Sequence, residues 1–143
     1  MPLVDFTLAL SKIPPMDELA NDIFAPPGGW RVRILDLSGA SQGNVIEEIG
    51  GFDTLMQANA FARRYVRDSV ERCRSPGMRP RDVLDAWFAY GEDAEVVNAG
   101  EDGWRSANEL GDFVDTPATS EQRDWRSIDP RRDEQDDSEA TAE

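Results

Sequence analysis

Seven arginines crowd into one short stretch of the chain, and their guanidinium groups are its clearest candidates for recognition chemistry. They lie between residues 63 and 81, namely Arg63, Arg64, Arg67, Arg72, Arg74, Arg79 and Arg81. Asp68 and Glu71 stand four residues after Arg64 and Arg67, a spacing that pairs charges along a helix. Guanidinium groups also bind the carboxylates of other proteins bidentately. Two interpretations follow: an exposed helix face laced with ion pairs, or a docking surface for an acidic partner with Arg63, Arg64 and Arg67 as contact residues.

The charge distribution favours a protein partner over nucleic acid for these arginines. The net charge is −14, yet residues 1–81 hold ten basic and ten acidic side chains, so the whole excess lies in residues 82–143. An acidic third of this size would repel phosphate. The strands predicted below also lack an evident pair of exposed aromatic residues for base stacking. We therefore expect another protein as the partner and do not expect nucleic acid.

Catalytic and metal-binding patterns are missing from the sequence. The chain contains no histidine and one cysteine, which excludes Ser-His-Asp and Cys-His catalysis and the usual Cys/His zinc sites. Cys73 lies on the apolar side of a predicted helix near its C-terminus, where a thiolate is disfavoured, and is interpreted as a packed small hydrophobe. The acidic run 133–137 lacks the glycine and final glutamate of a calcium-binding loop. We expect no catalytic residue, cofactor or metal ion.

A second candidate for partner binding lies near the C-terminus. Trp125 and Ile128 stand three residues apart among charged residues, a pattern typical of a short segment that folds onto a groove as one helical turn. The alternative is an expendable solubilising tail. A third hypothesis is that the acidic end folds back on the arginine face and screens it.

The element that must position the arginines is a long helix between Phe52 and Arg74. Apolar and small residues recur at steps of three and four, with Tyr65 beside them: Leu55, Ala58, Ala62, Val66, Ser69 and Cys73. Thr54 and Gln57 form a capping-box pattern at its start, and Ser75-Pro76-Gly77 ends it. This helix is the centre of the predicted fold.

Strands and shorter helices surround it in the prediction. Strands are expected at residues 3–10, 30–37, 44–49 and 94–98, with helices opening at Pro15 and at Pro80. For residues 86–90 a strand is the alternative to a helix that ends at Gly91. The predicted class is α+β, a small antiparallel sheet covered on one face by helices, with the ferredoxin-like βαββαβ arrangement suggested by the element order. The exposed face of such a sheet could also form a homodimer.

Composition divides the chain into a folded domain, residues 1–114, and a tail, residues 115–143. The tail consists mainly of Ser, Thr, Pro, Arg and acids. Such a segment buries too little apolar surface to offset the ~1–2 kcal/mol per residue that ordering its backbone costs. It is therefore expected to be a disordered acidic tail.

Together these features predict a small non-enzymatic protein-binding module of adaptor or regulatory type. No apolar run is long enough for a membrane span, and the N-terminus lacks a signal-peptide pattern, so a cytoplasmic protein is expected. One alternative is an acidic nucleic-acid mimic that inhibits a DNA- or RNA-binding protein. The other is a small-molecule-binding or enzymatic domain with a pocket between sheet and helices.

Overall fold

The computed structural model describes residues 26–38 and 44–132. The strand predicted at residues 3–10, the helix predicted to open at Pro15 and the acidic run 133–137 lie outside these ranges. The first described residues form the turn of Pro26–Gly29, which leads into a strand.

A three-stranded antiparallel sheet forms one layer of the domain. Its strands are β1 (Trp30–Asp36), β2 (Asn44–Phe52) and β3 (Glu92–Val96), in the order β2-β1-β3. Along β1, Trp30, Val32 and Ile34 are buried, because alternate side chains of a strand share one face. The alternation predicted from the sequence is confirmed.

The long helix, α1 (Leu55–Cys73), packs across the buried face of the sheet. Its capping box is present: the Thr54 hydroxyl accepts the Gln57 N–H at 3.1 Å, and the Gln57 side-chain oxygen accepts the Thr54 N–H at 3.2 Å. The predicted start, end and apolar face of this helix are all confirmed.

A second helix, α2 (Pro80–Tyr90), follows, and a third, α3 (Leu110–Asp115), comes after β3. Residues 86–90 are thus helical, and the alternative strand does not form there. The Trp87 indole N–H donates to the Ser69 hydroxyl at 3.2 Å, which joins α2 to α1. A Cβ at Gly91 would come within 2.4 Å of the Trp87 ring, so a close approach requires glycine where α2 ends. Short 3₁₀ turns lie at Gly100–Asp102, Ser106–Asn108 and Arg126–Ile128.

The core lies between the sheet and the helices. Its largest fully buried side chains are Trp87, Phe52, Phe61, Phe113, Ile34 and Ile49. This architecture confirms the α+β class with an antiparallel sheet covered on one face by helices. Because β1 already has a neighbour on each side, a further strand from residues 1–25 would have to join at an edge. The ferredoxin-like arrangement needs that strand and therefore stays a suggestion.

The described chain does not leave the domain at Val114. Residues 116–132 return along α1 and reach β2, where the Arg131 side chain donates to Glu47 at 2.6 Å. The composition of these residues, which is polar on average, predicts a disordered tail. A few of their side chains nevertheless give them a defined position.

A candidate docking surface on the long helix

The surface of α1 that faces away from the sheet is covered by the C-terminal part of the described chain. First α3 runs along α1, and then residues 116–132, which we name the docking segment, run back over it. The part of α1 beneath that segment, the docking face, has contact residues at steps of three and four: Phe61, Arg64, Tyr65 and Asp68.

Trp125 is the aromatic anchor of the docking segment. Its ring lies edge-on to Phe61 at 5.7 Å and tilted against Tyr65 at 5.0 Å, measured between ring centroids. The indole N–H donates to the Asp68 carboxylate at 3.1 Å, and the Arg126 guanidinium lies 4.4 Å from the ring centroid. The half-buried indole therefore has both its apolar surface and its polar group engaged.

Asp68 is the polar centre of the docking face. Its side chain is only 8% exposed, and its carboxylate accepts the Arg123 Nε–H at 2.7 Å beside the Trp125 indole. Arg72, one turn further along α1, forms an ion pair with it at 3.1 Å. A largely buried carboxylate thus ties two side chains of the docking segment to the helix.

Arg64 binds the backbone of the docking segment. One of its terminal nitrogens donates to the Asp124 carbonyl at 3.0 Å and to the Ser127 hydroxyl at 3.3 Å. Ile128 packs at the margin of the core, next to this contact. Together they hold the 3₁₀ turn of the segment against the first half of α1.

Asp129 and Arg131 attach the end of the segment to the sheet. Asp129 is buried and accepts three side-chain hydrogen bonds from Arg131, at 3.0, 3.3 and 2.8 Å, while Arg131 also reaches Glu47 of β2. Burial alone would raise the pKa of the Asp129 carboxyl, but the bonds from Arg131 outweigh it and the pKa is lowered.

Two further arginines of α1 and its C-terminal cap anchor the region around α3. Arg63 binds Glu109 bidentately, at 2.7 and 2.9 Å, and this bond lowers the pKa of the glutamate carboxyl. Arg74 binds Glu71 in the same manner, at 2.9 and 3.0 Å, and caps the Phe113 and Val114 carbonyls at the end of α3. Both guanidinium groups are engaged within the chain.

Arg67 lies between these pairs and has no comparable partner. The residue is 6% exposed, and its Nε and Nη1 atoms have no hydrogen-bond acceptor among the described residues. Its Nη2 atom lies 3.5 Å from the Gln122 side-chain oxygen, and its guanidinium carbon lies 4.6 Å from the Phe113 ring centroid. Burial lowers the pKa of this guanidinium.

A cleft of about 400 Å³ opens next to the docking face, between the end of α1 and α2, and shares Tyr65 and Asp68 with that face. Its lining includes Tyr65, Cys73, Tyr90 and Glu92. The Tyr65 hydroxyl donates to Glu92. The pKa of the phenol is raised, mainly by burial and secondly by this hydrogen bond. Burial also raises the pKa of the Cys73 thiol, which fits its interpretation as a packing residue.

The outer face of the sheet carries ion pairs across neighbouring strands. Arg31 and Arg33 of β1 pair with Glu48 of β2 at 3.1 and 3.6 Å, and Arg33 also pairs with Glu95 of β3 at 3.2 Å. The sheet face suggested for a homodimer is therefore charged, with its own charges largely compensated.

Two kinds of feature are absent from residues 26–38 and 44–132, the part of the chain that the structure describes. In those ranges no helix combines the length and apolar character needed to cross a bilayer. The same part of the chain contains no group of three metal-ligating side chains.

The structure brings the two sets of predicted contact residues together. Arg64 and Arg67 lie under the docking segment that carries Trp125 and Ile128, while Arg63 lies beside them under α3. The predicted pairs four residues apart do not form: Asp68 binds Arg72 and Arg123, and Glu71 binds Arg74.

Two acids organise this surface, Asp68 and Glu109, and sequence reasoning missed the second. Asp68 was expected to pair with Arg64 because of its spacing, but its partners are Arg72 and Arg123. Glu109 had no such signal, because its partner Arg63 is 46 residues away.

Comparisons with protein-family models, with curated proteins and with solved structures found no match for this chain. Function has therefore to be inferred from the geometry of the molecule.

Proposed function

We propose that the protein is a non-enzymatic protein-binding module of adaptor or regulatory type, whose docking face binds a short segment of another protein. The chain's own docking segment occupies that face in the closed form. The seat of Trp125 between Phe61, Tyr65 and Asp68 is the observation that carries the proposal. These three side chains form an aromatic and polar pocket around the Trp125 indole on α1.

The way the segment binds resembles a peptide in a groove more than a part of the core. Residues 116–131 contain one 3₁₀ turn and isolated hydrogen-bonded turns, and these residues form no strand or longer helix. They bind through an aromatic anchor surrounded by hydrogen bonds and ion pairs, the pattern that recurs in protein interfaces. A segment from another protein could make the same contacts.

Competition with the tethered segment gives such a module a regulatory property. A segment joined to its own site acts at an effective concentration in the millimolar range for a short flexible linker. The apparent affinity of a partner is therefore weaker than its affinity for the open form, in proportion to the fraction of molecules that are open. A modification or ligand that releases the segment would increase partner binding.

The experiment is a peptide-display selection on the full-length chain carrying Trp125→Ala and Ile128→Ala, which removes both apolar anchors of the segment. We expect enrichment of peptides with an aromatic residue at a fixed position, and weaker capture of the same peptides by the unaltered chain. Hydrogen exchange of the sheet amides checks that the variant is folded. Enriched peptides that bind both chains equally well would contradict the proposal.

The location that suits this proposal is the cytoplasm. A single cysteine agrees with a reducing compartment, where disulfides are rare. We propose a protein partner there and place homodimerisation through the charged outer sheet face second to it.

A second candidate function is small-molecule binding in the cleft between α1 and α2. Its volume of about 400 Å³ and its mixture of Tyr90, Tyr65 and the Glu92 carboxylate favour it. Titration of a fragment library, followed by NMR of ring-labelled tyrosine, tests this. Shifts at Tyr90 that Ala86→Trp abolishes would support it, and ligands that leave Tyr90 unmoved would count against it.

A further inference from the structure

Arg67 is a buried cation whose donors the closed form leaves unused. Two of its nitrogen atoms have no acceptor among the described residues, although the residue is more than nine-tenths buried. Leaving charged donors buried and unpaired is unfavourable, because they lose water and gain no hydrogen bond. The closed form tolerates this arrangement with only the Phe113 ring and one long contact to Gln122.

The neighbouring acids cannot correct the imbalance. Three guanidinium groups, those of Arg63, Arg67 and Arg74, meet two carboxylates in this part of α1. Glu109 is held bidentately by Arg63, and Glu71 is held bidentately by Arg74. One more carboxylate would give each of the three guanidinium groups an acidic partner.

The position opposite Arg67 belongs to Gln122 of the docking segment. Its side-chain oxygen accepts the Thr119 N–H at 3.0 Å, and its backbone N–H donates to the Thr119 hydroxyl at 3.2 Å. Glutamate closes a turn of this kind as well as glutamine does. A carboxylate at this position could therefore keep the turn and also accept from the Arg67 fork.

We propose that the partner segment is acidic and carries a carboxylate three residues before its aromatic anchor, where it pairs with Arg67. This rests on the docking function proposed above and specifies its ligand. The pattern is acid-x-x-aromatic, whereas in this chain the neutral Gln122 stands three residues before Trp125. A second copy of this chain would supply Gln122 again and leave Arg67 unpaired, so a partner of different sequence fits better.

The test compares two peptides on the full-length Trp125→Ala, Ile128→Ala chain. One peptide has the sequence of residues 116–132, and the other differs only by Gln122→Glu. Fluorescence anisotropy of labelled peptide gives both dissociation constants at low and moderate salt. We expect the Gln122→Glu peptide to bind about tenfold more tightly at low salt, since a charge-assisted bidentate pair replaces a long neutral contact.

Two arginine variants in the same background identify the group that binds the carboxylate. Arg67→Gln is expected to abolish the advantage of the acidic peptide, whereas Arg81→Gln, which removes an exposed arginine of α2, is expected to preserve it. An advantage that survives Arg67→Gln would overturn the assignment. Equal binding of both peptides overturns it too but leaves the docking function standing, and failure of both peptides to bind overturns both.

The melting temperature can be measured in a chain that keeps Trp125 and Ile128, so this test does not depend on the Trp125→Ala, Ile128→Ala background. Gln122→Glu should raise the melting temperature by several degrees, and the gain should vanish when Arg67→Gln is added. An unchanged or lowered melting temperature would contradict the proposed pairing.

Discussion

The two sides of α1 are packed in different ways. The side that faces the sheet is lined by Ala58, Ala62, Val66 and Val70, all without solvent exposure. The side beneath the docking segment combines aromatic rings with arginines and a carboxylate, among them Arg64, Tyr65 and Asp68.

The sheet-facing side of α1 builds the hydrophobic core, whereas the contacts on its other side are those that we propose a partner can replace. Apolar packing is non-directional and depends little on salt or pH, so the packing of α1 on the sheet does not depend on the charge state of nearby groups. Contacts on the other side depend on charge state and geometry. We predict that they can be removed one by one while the sheet and α1 remain together, which is what a displaceable segment requires.

The largest effect is expected on the core side. Trp87→Ala should lower the free energy of unfolding by about 3–5 kcal/mol, since it leaves a large cavity and removes the bond to Ser69. Denaturant unfolding measures it. Phe88→Ala, at a neighbouring ring that is 49% exposed, is the matched control and should cost much less. A loss of stability confined to the docking segment would contradict this division of α1 into a core side and a docking side.

Removing the aromatic anchor should have a smaller and local effect. Trp125→Ala is expected to lower the free energy of opening residues 116–132 by about 1–2 kcal/mol, so hydrogen exchange of this segment should become faster and remain faster than that of β1. Trp125→Phe keeps the ring contacts and loses only the indole donor, so its effect should lie between those of Trp125→Ala and the unaltered chain. If the segment exchanges no faster than β1 in Trp125→Ala, the segment is part of the core.

Replacing the buried Asp68 carboxylate by an amide of nearly the same shape should open the docking segment. Asp68→Asn leaves Arg123 and Arg72 without their shared charged acceptor. It should lower the free energy of opening the docking segment by about 1–2 kcal/mol. Asp85→Asn, at an exposed acid of α2, provides the control. If both substitutions change hydrogen exchange of the segment by the same amount, the ion pairs of Asp68 do not hold the segment.

The smallest effect concerns pH. The pKa values of Glu109 and Asp129 are lowered in the folded protein, so their stabilisation is complete above the ordinary carboxyl pKa of about 4 and is lost as pH falls through the folded values. Asp93 acts oppositely, because burial raises its pKa and acid relieves its cost. The ¹⁹F resonance of fluorotryptophan-labelled Trp125 should therefore shift toward the open form below about pH 4. Asp129→Asn should reduce that shift, and an identical titration in the variant would contradict the assignment.

How much could be predicted from the sequence depends on how far apart the interacting residues are. The ends of α1 follow from the cap of Thr54 and Gln57 and from a local apolar repeat, and both are confirmed. The last strand is brief, and its prediction at residues 94–98 overlaps the observed Glu92–Val96. Local signals of this kind are read directly from spacing.

The docking contacts could not be predicted in the same way. Asp68 and Arg123 are 55 residues apart, and their pairing depends on where α3 directs the chain. Composition did not indicate the path of residues 116–132 either, because it averages over all of them whereas Trp125, Arg123 and Asp129 fix their position. Candidate residues were therefore found from their types, and a fold-back onto the arginine face was one hypothesis, but the individual contacts could not be predicted.

Native-state hydrogen exchange of the unaltered full-length chain tests the central claim most directly. If the docking segment is displaceable, the hydrogen-bonded amides of Gln122, Ser127 and Ile128, corrected for intrinsic rates, should exchange by local opening ~100-fold faster than those of β1, or more. Protection of these amides equal to that of β1, lost only on global unfolding, would contradict it.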